Sequence, residues 1–234
     1  MNKKNVGNAF GRWGKRLVFV AAVCLLGTVV LQAALGRPDP ALFSTEVVLE
    51  GDELRAALSS PVAGMYMPYF RLQEAWSSCA PASVRNVLAS LGRHVEGEGD
   101  LFVDNRVGQA RMLVMGMPLE QAATLFPDQD VEDVTVLRDM DYATFLEHME
   151  RSNDPGWRYI VNFDRKPLFG VSIGHFSPLG GYDAGSGKVL LLDVTPGYGM
   201  SMAPASMLFA AMNTPDSETG LSRGLIAVKV KGEL

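Results

Sequence analysis

The stretch "QEAWSSCAPASVRNVLASLG", residues Gln73–Gly92, changes from a polar loop to a helical pattern at its single cysteine. After that cysteine, four apolar residues recur at helical spacing: Val84, Val87, Leu88 and Leu91. Pro81 suits a first helical turn and Gly92 suits a stop, so we predict a helix over 80–91. Cys79 then lies at the N-terminus of this helix.

Cys79 is the main candidate for a catalytic nucleophile. The positive end of the helix dipole and the unpaired N–H groups of the first turn favour a thiolate, so we expect a lowered thiol pKa. The other cysteine, Cys24, lies in an apolar run, which leaves Cys79 without an intramolecular disulfide partner in the rest of the chain. The alternative is that Cys79 is a small buried side chain that fills space under the helix.

Length and composition suit one globular domain with an appendage. The chain has 234 residues, of which 47% are hydrophobic and 20% are charged. All 26 acidic residues but only 16 of the 21 basic residues follow Gly36, so that part carries a net charge of −10. An acidic domain is a poor ligand for phosphate backbones, and we expect no nucleic-acid partner.

The appendage is N-terminal. Residues 1–16 contain five basic side chains and no acidic one, and residues 17–35 contain no charge. Nineteen residues in a helix extend about 28 Å, close to the thickness of the hydrocarbon core, and basic flanks stay in the cytoplasm. We expect a transmembrane helix at a bacterial inner membrane with the rest of the chain in the periplasm. The alternative is a signal peptide that is cleaved near the sequence "AALG".

Helical patterns come first along the remaining chain and strand patterns come later. Beyond the Cys79 helix, we predict helices over 52–58, 117–126, 141–151 and 204–212. We predict strands over 158–163, 174–182, 188–194 and 224–231. This order predicts the α+β class, with an N-terminal helical part packed on an antiparallel sheet. Residues 36–61 are expected to form a tether and residues 62–234 the globular domain.

A nucleophilic cysteine needs a base, and the chain has three histidines. His94 lies in a charged loop and His148 lies beside acidic residues on a helix, which is typical of surface side chains. His175 instead begins a predicted strand, and the returning strand of its hairpin ends at Asp193. One bulge or the pair Gly180-Gly181 can absorb the mismatch in register between them. A carboxylate there would fix the tautomer of the imidazole; the alternative is that Asp193 caps a turn.

Gln73 is a candidate oxyanion donor. It lies six residues before Cys79, from where its amide can join the Cys79 backbone N–H in stabilising a developing oxyanion. The order Gln, Cys, His, acid, with the cysteine on the first core helix and the others on a later sheet, is that of the papain-like cysteine peptidases.

The stretch "RKPLFGVSIGHFSPLGGYDAGSGKVLLLDV", residues 165–194, resembles the core motif of the phytochelatin synthase family. Three residues occupy the positions of that motif: Arg165, His175 and Asp193. The segments "QEAWSSCAPASVRNVLASLG", "GMPLEQAATLF" and "MNTPDSETGLSRG" are similar to further elements of the family. The resemblance extends over 65–230, and it implies a papain-like fold with 62–234 as the catalytic domain.

The resemblance also implies a reaction. Cys79 would attack the Cys-Gly bond of glutathione or a related γ-glutamyl peptide, release glycine and carry a γ-glutamylcysteinyl thioester, which water or a second glutathione then takes. Asp216 and Arg223 would hold the α-ammonium and α-carboxylate, since a zwitterion suits an acid and a forked guanidinium. Arg165 is the third substrate-binding candidate. Without the resemblance, these side chains are ordinary loop charges.

Two departures from the family pattern favour hydrolysis over polymerisation. Ala80 replaces the glycine that usually follows the nucleophile, and "TPGYGMSMAP", residues 195–204, replaces a basic-aromatic stretch. No His/Cys cluster has the spacing of a metal site, so we expect no required cofactor; Cd²⁺ or Zn²⁺ would enter as part of a metal-thiolate substrate.

Two other functions stay open at this stage. One is a papain-like processing peptidase for another peptide, and the other is a non-catalytic anchored domain that binds a peptide or a metal-thiolate ligand. The expected partners are the γ-glutamyl peptide and, through the N-terminal helix, the membrane. The sequence leaves open whether the chain forms a homodimer.

Overall fold

The computed structural model describes residues 38–102 and 105–232, together with Gly27. The predicted basic segment 1–16 and all of the apolar segment 17–35 except Gly27 lie outside the described residues, so the membrane or signal sequence stays a prediction. Among the residues that are described, no helix is long and apolar enough to cross a membrane.

The described helices are short. They are α1 (Asp52–Leu58), α2 (Pro61–Tyr66), α3 (Cys79–Ser90), α4 (Arg106–Met115), α5 (Leu119–Ala123), α6 (Tyr142–Arg151), α7 (Lys166–Phe169) and α8 (Ala205–Met212). Single turns of 3₁₀ helix occur at Pro40–Leu42, Met67–Tyr69 and Glu98–Phe102.

One antiparallel sheet of six strands forms the centre of the domain. Its strands are β1 (Val131–Leu137), β2 (Trp157–Asp164), β3 (Gly174–Asp183), β4 (Lys188–Leu192), β5 (Met200–Pro204) and β6 (Gly224–Val230). They are arranged in the order β1-β6-β2-β3-β4-β5, and every neighbouring pair is antiparallel. The predicted mixture of helices with an antiparallel sheet is confirmed.

The helices cover both faces of the sheet, whereas the sequence predicted an N-terminal helical part packed on it. Helices α1, α2, α3 and α5 pack on one face, together with Ile160, Phe176 and Leu190 of the strands. Helices α6, α7 and α8 pack on the other face with Val161 and Phe163. Because side chains alternate along a strand, nearly continuous apolar runs such as "RYIVNF" bury both of their faces.

Several elements were not predicted from the sequence. Strand β1, "VEDVTVL", is an edge strand in which only Val131 is buried. Its charged residues interrupt the alternation of apolar and polar residues by which a strand is recognised in a sequence. Strand β5 and helices α2, α4 and α7 are short and carry no clear periodicity. The predicted helix over 117–126 is shorter in the structure, where α5 covers Leu119–Ala123.

Residues 38–48, which we call the strap, lie along the domain. The Ser44 N–H donates to the Leu168 carbonyl at 2.9 Å, and Val47 is buried in the core. The stretch expected as a tether, 36–61, therefore includes residues that pack as part of the domain.

A β-bulge sets the register of the hairpin that carries two candidate site residues. Leu179 pairs with Leu191, and the register shifts at Gly180. The extra residue in β3 brings Asp193, which follows β4, nearer to the position opposite His175. The predicted bulge is confirmed, and glycine is needed there because a side chain would collide with the neighbouring strand.

We predict that Gly180→Ala destabilises the fold. A Cβ at this position would lie 2.6 Å from Leu190 Cδ2 and 2.9 Å from its Cγ, and such overpacking of a core costs about 1–3 kcal/mol. The matched control is Gly64→Ala in helix α2, where nothing lies within 4 Å of an added Cβ; it should raise stability by about 0.5–1 kcal/mol. The free energies of unfolding in urea check both, and a Gly180→Ala protein as stable as its parent would contradict this account of the bulge.

Candidate active site

The loop before helix α3, residues 71–78, is fixed to that helix by two buried side chains. Arg85 is almost fully buried, donates to the Leu72 carbonyl at 2.8 Å and pairs with Glu74 at 2.5 Å. Asn86 accepts from the Arg71 N–H and donates to the Arg71 carbonyl, both at 2.8 Å. These contacts fix the position of the loop before the helix. Cys79 is the first residue of that helix.

The Gln73 side chain links this loop to Thr195. Its Nε2 donates to the carbonyls of Ala75 and Trp76, both at 2.8 Å, and its Oε1 accepts from Thr195 Oγ1 at 2.9 Å. Both amide hydrogens are used within the loop, so this geometry does not show the oxyanion donor that we expected. The Cys79 N–H remains a candidate donor, since the first turn of a helix leaves its N–H groups without intrahelical partners.

The Cys79 sulfur lies against strand β3. The backbone N–H of Phe176, the residue after His175, points at the sulfur, as does that of Ala80. Burial raises the pKa of the Cys79 thiol, and this effect outweighs the opposing effects of the two N–H groups and of the Arg165 charge. The expectation of a lowered pKa was therefore wrong: the helix N-terminus favours the thiolate, but desolvation disfavours it more.

His175, Asp193 and Arg165 form a buried line behind the thiol. The Nε2 atom of His175 lies 3.1 Å from Asp193 Oδ1. Arg165 Nη2 donates to both carboxylate oxygens, at 2.7 and 2.6 Å, and the Thr195 N–H donates to Oδ1 at 2.7 Å. The three side chains are 3%, 1% and 3% exposed, respectively.

Burial and the Arg165 charge together keep the imidazole neutral. Burial alone would raise the pKa of Asp193, but His175 in its protonated form at acid pH, the charge of Arg165 and the hydrogen bonds to the carboxylate hold it well below its usual range. Burial and the Arg165 charge lower the pKa of His175 to about 4, although Asp193 opposes them. Since Arg165 already compensates the carboxylate, the resting pair is a thiol and a neutral imidazole.

Arg165 makes further contacts beyond Asp193. Its guanidinium carbon is 3.6 Å from the centre of the Tyr198 ring, and its Nη2 also donates to Thr195 Oγ1 at 2.9 Å. The resemblance implied a substrate-binding role for this residue. The structure instead shows Arg165 engaged with Asp193 and almost fully buried.

Asp216 and Arg223 lie together on the other side of His175. Arg223 Nη1 is 3.1 Å from Asp216 Oδ2 and 3.3 Å from Asn162 Oδ1. A Cβ added at Gly174 would collide with the Arg223 guanidinium, so the pair is seated against the residue that precedes His175. Among the described residues, Arg223 Nε and Asn162 Nδ2 have no hydrogen-bond partner, and both atoms are buried.

Helix α4 joins the two sides of the site. Ser77 Oγ, in the loop before the nucleophile, donates to the Leu113 carbonyl at 3.0 Å. Arg111 pairs with Glu218, which belongs to the same loop as Asp216. The helix therefore connects the loop before Cys79 with the loop that carries Asp216.

Sequence reasoning missed several residues that shape the site. Asn162 carried a signal, because it is a polar residue inside the buried strand "RYIVNF". Arg85 carried one too, as a charge on the apolar helix. Thr195 and Tyr198 carried no signal in the sequence. Thr195 contacts Gln73 and Tyr198 contacts Arg165, and both partners are distant in sequence.

A cavity in the described part of the chain is separate from this site. This cavity, of about 420 Å³, lies at the opposite end of strand β3, between Glu53 and Asp183, and none of the candidate catalytic residues lines it. Within residues 38–102 and 105–232, no group of three or more His, Cys, Asp or Glu side chains could hold a metal ion.

Comparisons with known proteins agree with the motifs. A family model described as phytochelatin synthase matches residues 51–225. Glutathione gamma-glutamylcysteinyltransferase 3 of Lotus japonicus is 46% identical over 70 residues, which is 30% of this chain and 15% of that protein. Glutathione gamma-glutamylcysteinyltransferase 1 of Triticum aestivum is 38% identical over 86 residues, 36% of this chain and 17% of that protein. The matches thus span less than a fifth of these curated relatives.

One solved structure is also similar. A putative C39-like peptidase from Bacillus anthracis superposes with a TM-score of 0.46 at 13% sequence identity, covering 70% of this chain and 95% of the other.

We predict that Cys79 rests as a neutral thiol near pH 7. In a Cys24→Ser background, which isolates Cys79, the rate of alkylation by iodoacetamide should rise steadily with pH into the alkaline range, because burial raises the pKa of this thiol. Replacement of His175 by Gln should change this profile little, since an imidazole with a pKa of about 4 is already neutral near pH 7. A rate plateau between about pH 5 and 7 that disappears in His175→Gln would instead reveal a thiolate-imidazolium pair.

Proposed function

Because the chain belongs to the phytochelatin synthase family, we propose that it is a thiol-dependent acyltransferase or hydrolase that cleaves the Cys-Gly bond of glutathione or a related γ-glutamyl peptide. One observation carries the proposal. Ion pairs join Arg165, Asp193 and His175 in a buried line, and the backbone N–H of Phe176, the residue after His175, interacts with the Cys79 sulfur. This arrangement supports nucleophilic catalysis by the Cys79 thiol with His175 as its base.

The reaction follows from the neutral resting pair. His175 takes the proton of the Cys79 thiol as the sulfur attacks the carbonyl carbon of the Cys-Gly bond, and the carbonyl oxygen becomes an oxyanion beside the Cys79 N–H. The imidazolium then gives this proton to the nitrogen of the departing glycine, and a γ-glutamylcysteinyl thioester remains on the sulfur. Water, activated by His175, attacks the thioester, which releases γ-glutamylcysteine and restores the thiol.

The carboxylate of Asp193 has two roles in this scheme. It fixes the orientation of the ring through Nε2, so that Nδ1 is the nitrogen that exchanges the proton with sulfur. It also stabilises the imidazolium that forms during attack, because the two groups lie 3.1 Å apart in a site shielded from water. Arg165 keeps the carboxylate ionised and in place while the ring is neutral.

Asp216, Arg223 and Asn162 are proposed to recognise the γ-glutamyl end. In the structure the acid and the guanidinium pair with each other, and a zwitterion can replace this pairing with its own ammonium and carboxylate. The unpartnered donors Arg223 Nε and Asn162 Nδ2 would gain an acceptor on binding.

The segment after the catalytic acid supports hydrolysis rather than chain extension. Residues 195–204 contain no Lys or Arg, and Tyr198 in this segment is buried against Arg165. The carboxylates of a second glutathione would therefore meet no cation there, whereas water needs none. The proposed reaction requires no resident cofactor, and Cd²⁺ or Zn²⁺ would take part only within a metal-thiolate substrate.

We predict that the reduced full-length protein releases free glycine from glutathione. Cys79→Ala should lower the rate by at least about a thousandfold, since it removes the nucleophile, and the matched control Cys24→Ser should retain the rate of the parent. Glycine is measured after derivatisation of its free amine, and γ-glutamylcysteine and longer γ-glutamyl peptides are quantified in the same samples. Cleavage of longer peptides without glutathione cleavage would favour a processing peptidase, and undiminished activity of Cys79→Ala would refute thiol catalysis.

We also predict that Arg223→Lys weakens substrate recognition more than the chemical step. The lysine keeps the charge but loses the fork that matches a carboxylate, so KM for glutathione should rise about tenfold or more while kcat changes less. Arg93→Lys is the matched control, because Arg93 is half exposed and pairs with Asp130 outside the site. Steady-state kinetics of glycine release give both constants, and an unchanged KM in Arg223→Lys would remove this residue from the binding site.

A further inference from the structure

Arg165 is held in place by a ring on one side and by the carboxylate on the other. Its Nη2 makes the hydrogen bonds to Asp193 and Thr195, while its Nε is buried without a partner. The guanidinium lies on the Tyr198 ring at 3.6 Å from its centre. Stacking on this ring therefore acts together with these hydrogen bonds to hold the guanidinium beside the carboxylate.

The strap supports Tyr198. The Phe43 ring stacks on the Tyr198 ring, with centroids 5.6 Å apart and planes within 10°. Phe169 completes the cluster, since its ring meets Phe43 edge-on at 5.0 Å and Tyr198 at 5.2 Å. The three rings form a continuous aromatic support beneath Arg165.

Two glycines allow the strap to approach this closely. A Cβ at Gly170, where φ is +77°, would lie 2.6 Å from Leu42 Cβ and 2.7 Å from the Leu42 carbonyl oxygen. A Cβ at Gly197, where φ is +91°, would lie 2.8 Å from Pro38 Cγ. Together with the bond between Ser44 N–H and the Leu168 carbonyl, these contacts fix the strap on both turns that flank Arg165 and Tyr198.

The strap precedes the part of the chain that the family match covers. The match begins at residue 51, and the strap consists of residues 38–48. Phe43 therefore lies outside the matched domain. Its ring contacts Tyr198, which in turn packs on Arg165.

We propose that Phe43 and Tyr198 are positioning residues for the catalytic acid, which hold the Arg165 guanidinium on the Asp193 carboxylate and thereby set the basicity of His175. The inference rests on the proposed function for its catalytic meaning, but the geometry that carries it involves only the rings, the guanidinium and the carboxylate. Residues upstream of the family domain thus contribute to the reaction without touching the substrate.

The effect on His175 has a defined direction. The charged and titratable groups around His175 are Asp193 after β4, Arg165 after β2, Arg223 beside Gly174 and Cys79 on α3. Of these, Arg165 is the one that the strap holds. If the aromatic support is lost, the guanidinium moves away from the carboxylate, and the loss of this nearby positive charge favours the imidazolium. The pKa of His175 should therefore rise.

The test follows the imidazole titration of His175 by NMR in the full-length protein. The chain has three histidines, so His175→Gln assigns the signal. Phe43→Ala and Tyr198→Leu should each move the titration of His175 upward by at least about half a pH unit. Phe43→Tyr, which keeps the ring, should leave it in place, and so should the control Leu49→Ala, which changes an exposed side chain outside the aromatic cluster.

The kinetic consequence is measured on the same proteins. Phe43→Ala should lower kcat for glycine release about tenfold with little change in KM, because a misplaced base slows the chemical step and leaves the γ-glutamyl site intact. Phe43→Leu, which fills the space without a ring, should show the same titration shift and covers the case in which the alanine variant does not fold. Folded variants with an unchanged His175 titration would overturn the proposal. Absence of glycine release from the parent protein would refute the proposed function alone, since the titration does not depend on it.

Discussion

The carboxylate of Asp193 is buried between a guanidinium and an imidazole, and the architecture of the site follows from the need to compensate its charge. A buried carboxylate is costly unless it is paired and hydrogen-bonded. Here Arg165 covers both oxygens, the Thr195 N–H adds a third bond, and His175 lies 3.1 Å away. These groups come from the ends of three adjacent strands, so the bulged hairpin and the sheet order are what make the pairing geometrically possible.

Arg165 compensates the charge of the Asp193 carboxylate. This distinguishes the site from one that holds a preformed thiolate-imidazolium pair. A carboxylate that faced only the imidazole would favour the imidazolium at rest. Burial and the guanidinium together lower the pKa of His175 to about 4, and charge separates only when the sulfur attacks. The same Thr195 hydroxyl that accepts from Arg165 donates to Gln73, so one set of hydrogen bonds ties the acid to the loop before the nucleophile.

The sequence predicted the parts of this site that depend on local pattern. Cys79 follows from a helix start, and His175 and Asp193 follow from a hairpin whose glycine pair allows a bulge. The direction of the thiol pKa was not predictable, because it depends on how strand β3 covers the sulfur. Nor were the roles of Gln73 or Tyr198, whose partners come from distant parts of the chain. Strands β1 and β5 were missed for a different reason, as short edge strands lack the apolar period that identifies central ones.

The most direct test of the central claim is to look for the acyl group on Cys79. The protein is mixed with glutathione, quenched with acid at short times and analysed by intact mass and peptide mapping. We expect a mass increase equal to one γ-glutamylcysteinyl group, located on the peptide that contains Cys79 and formed much more slowly when Asp193 is replaced by Ala. Glycine release at the full rate with no acyl group on Cys79, or an adduct that forms equally fast without the Asp193 carboxylate, would contradict it.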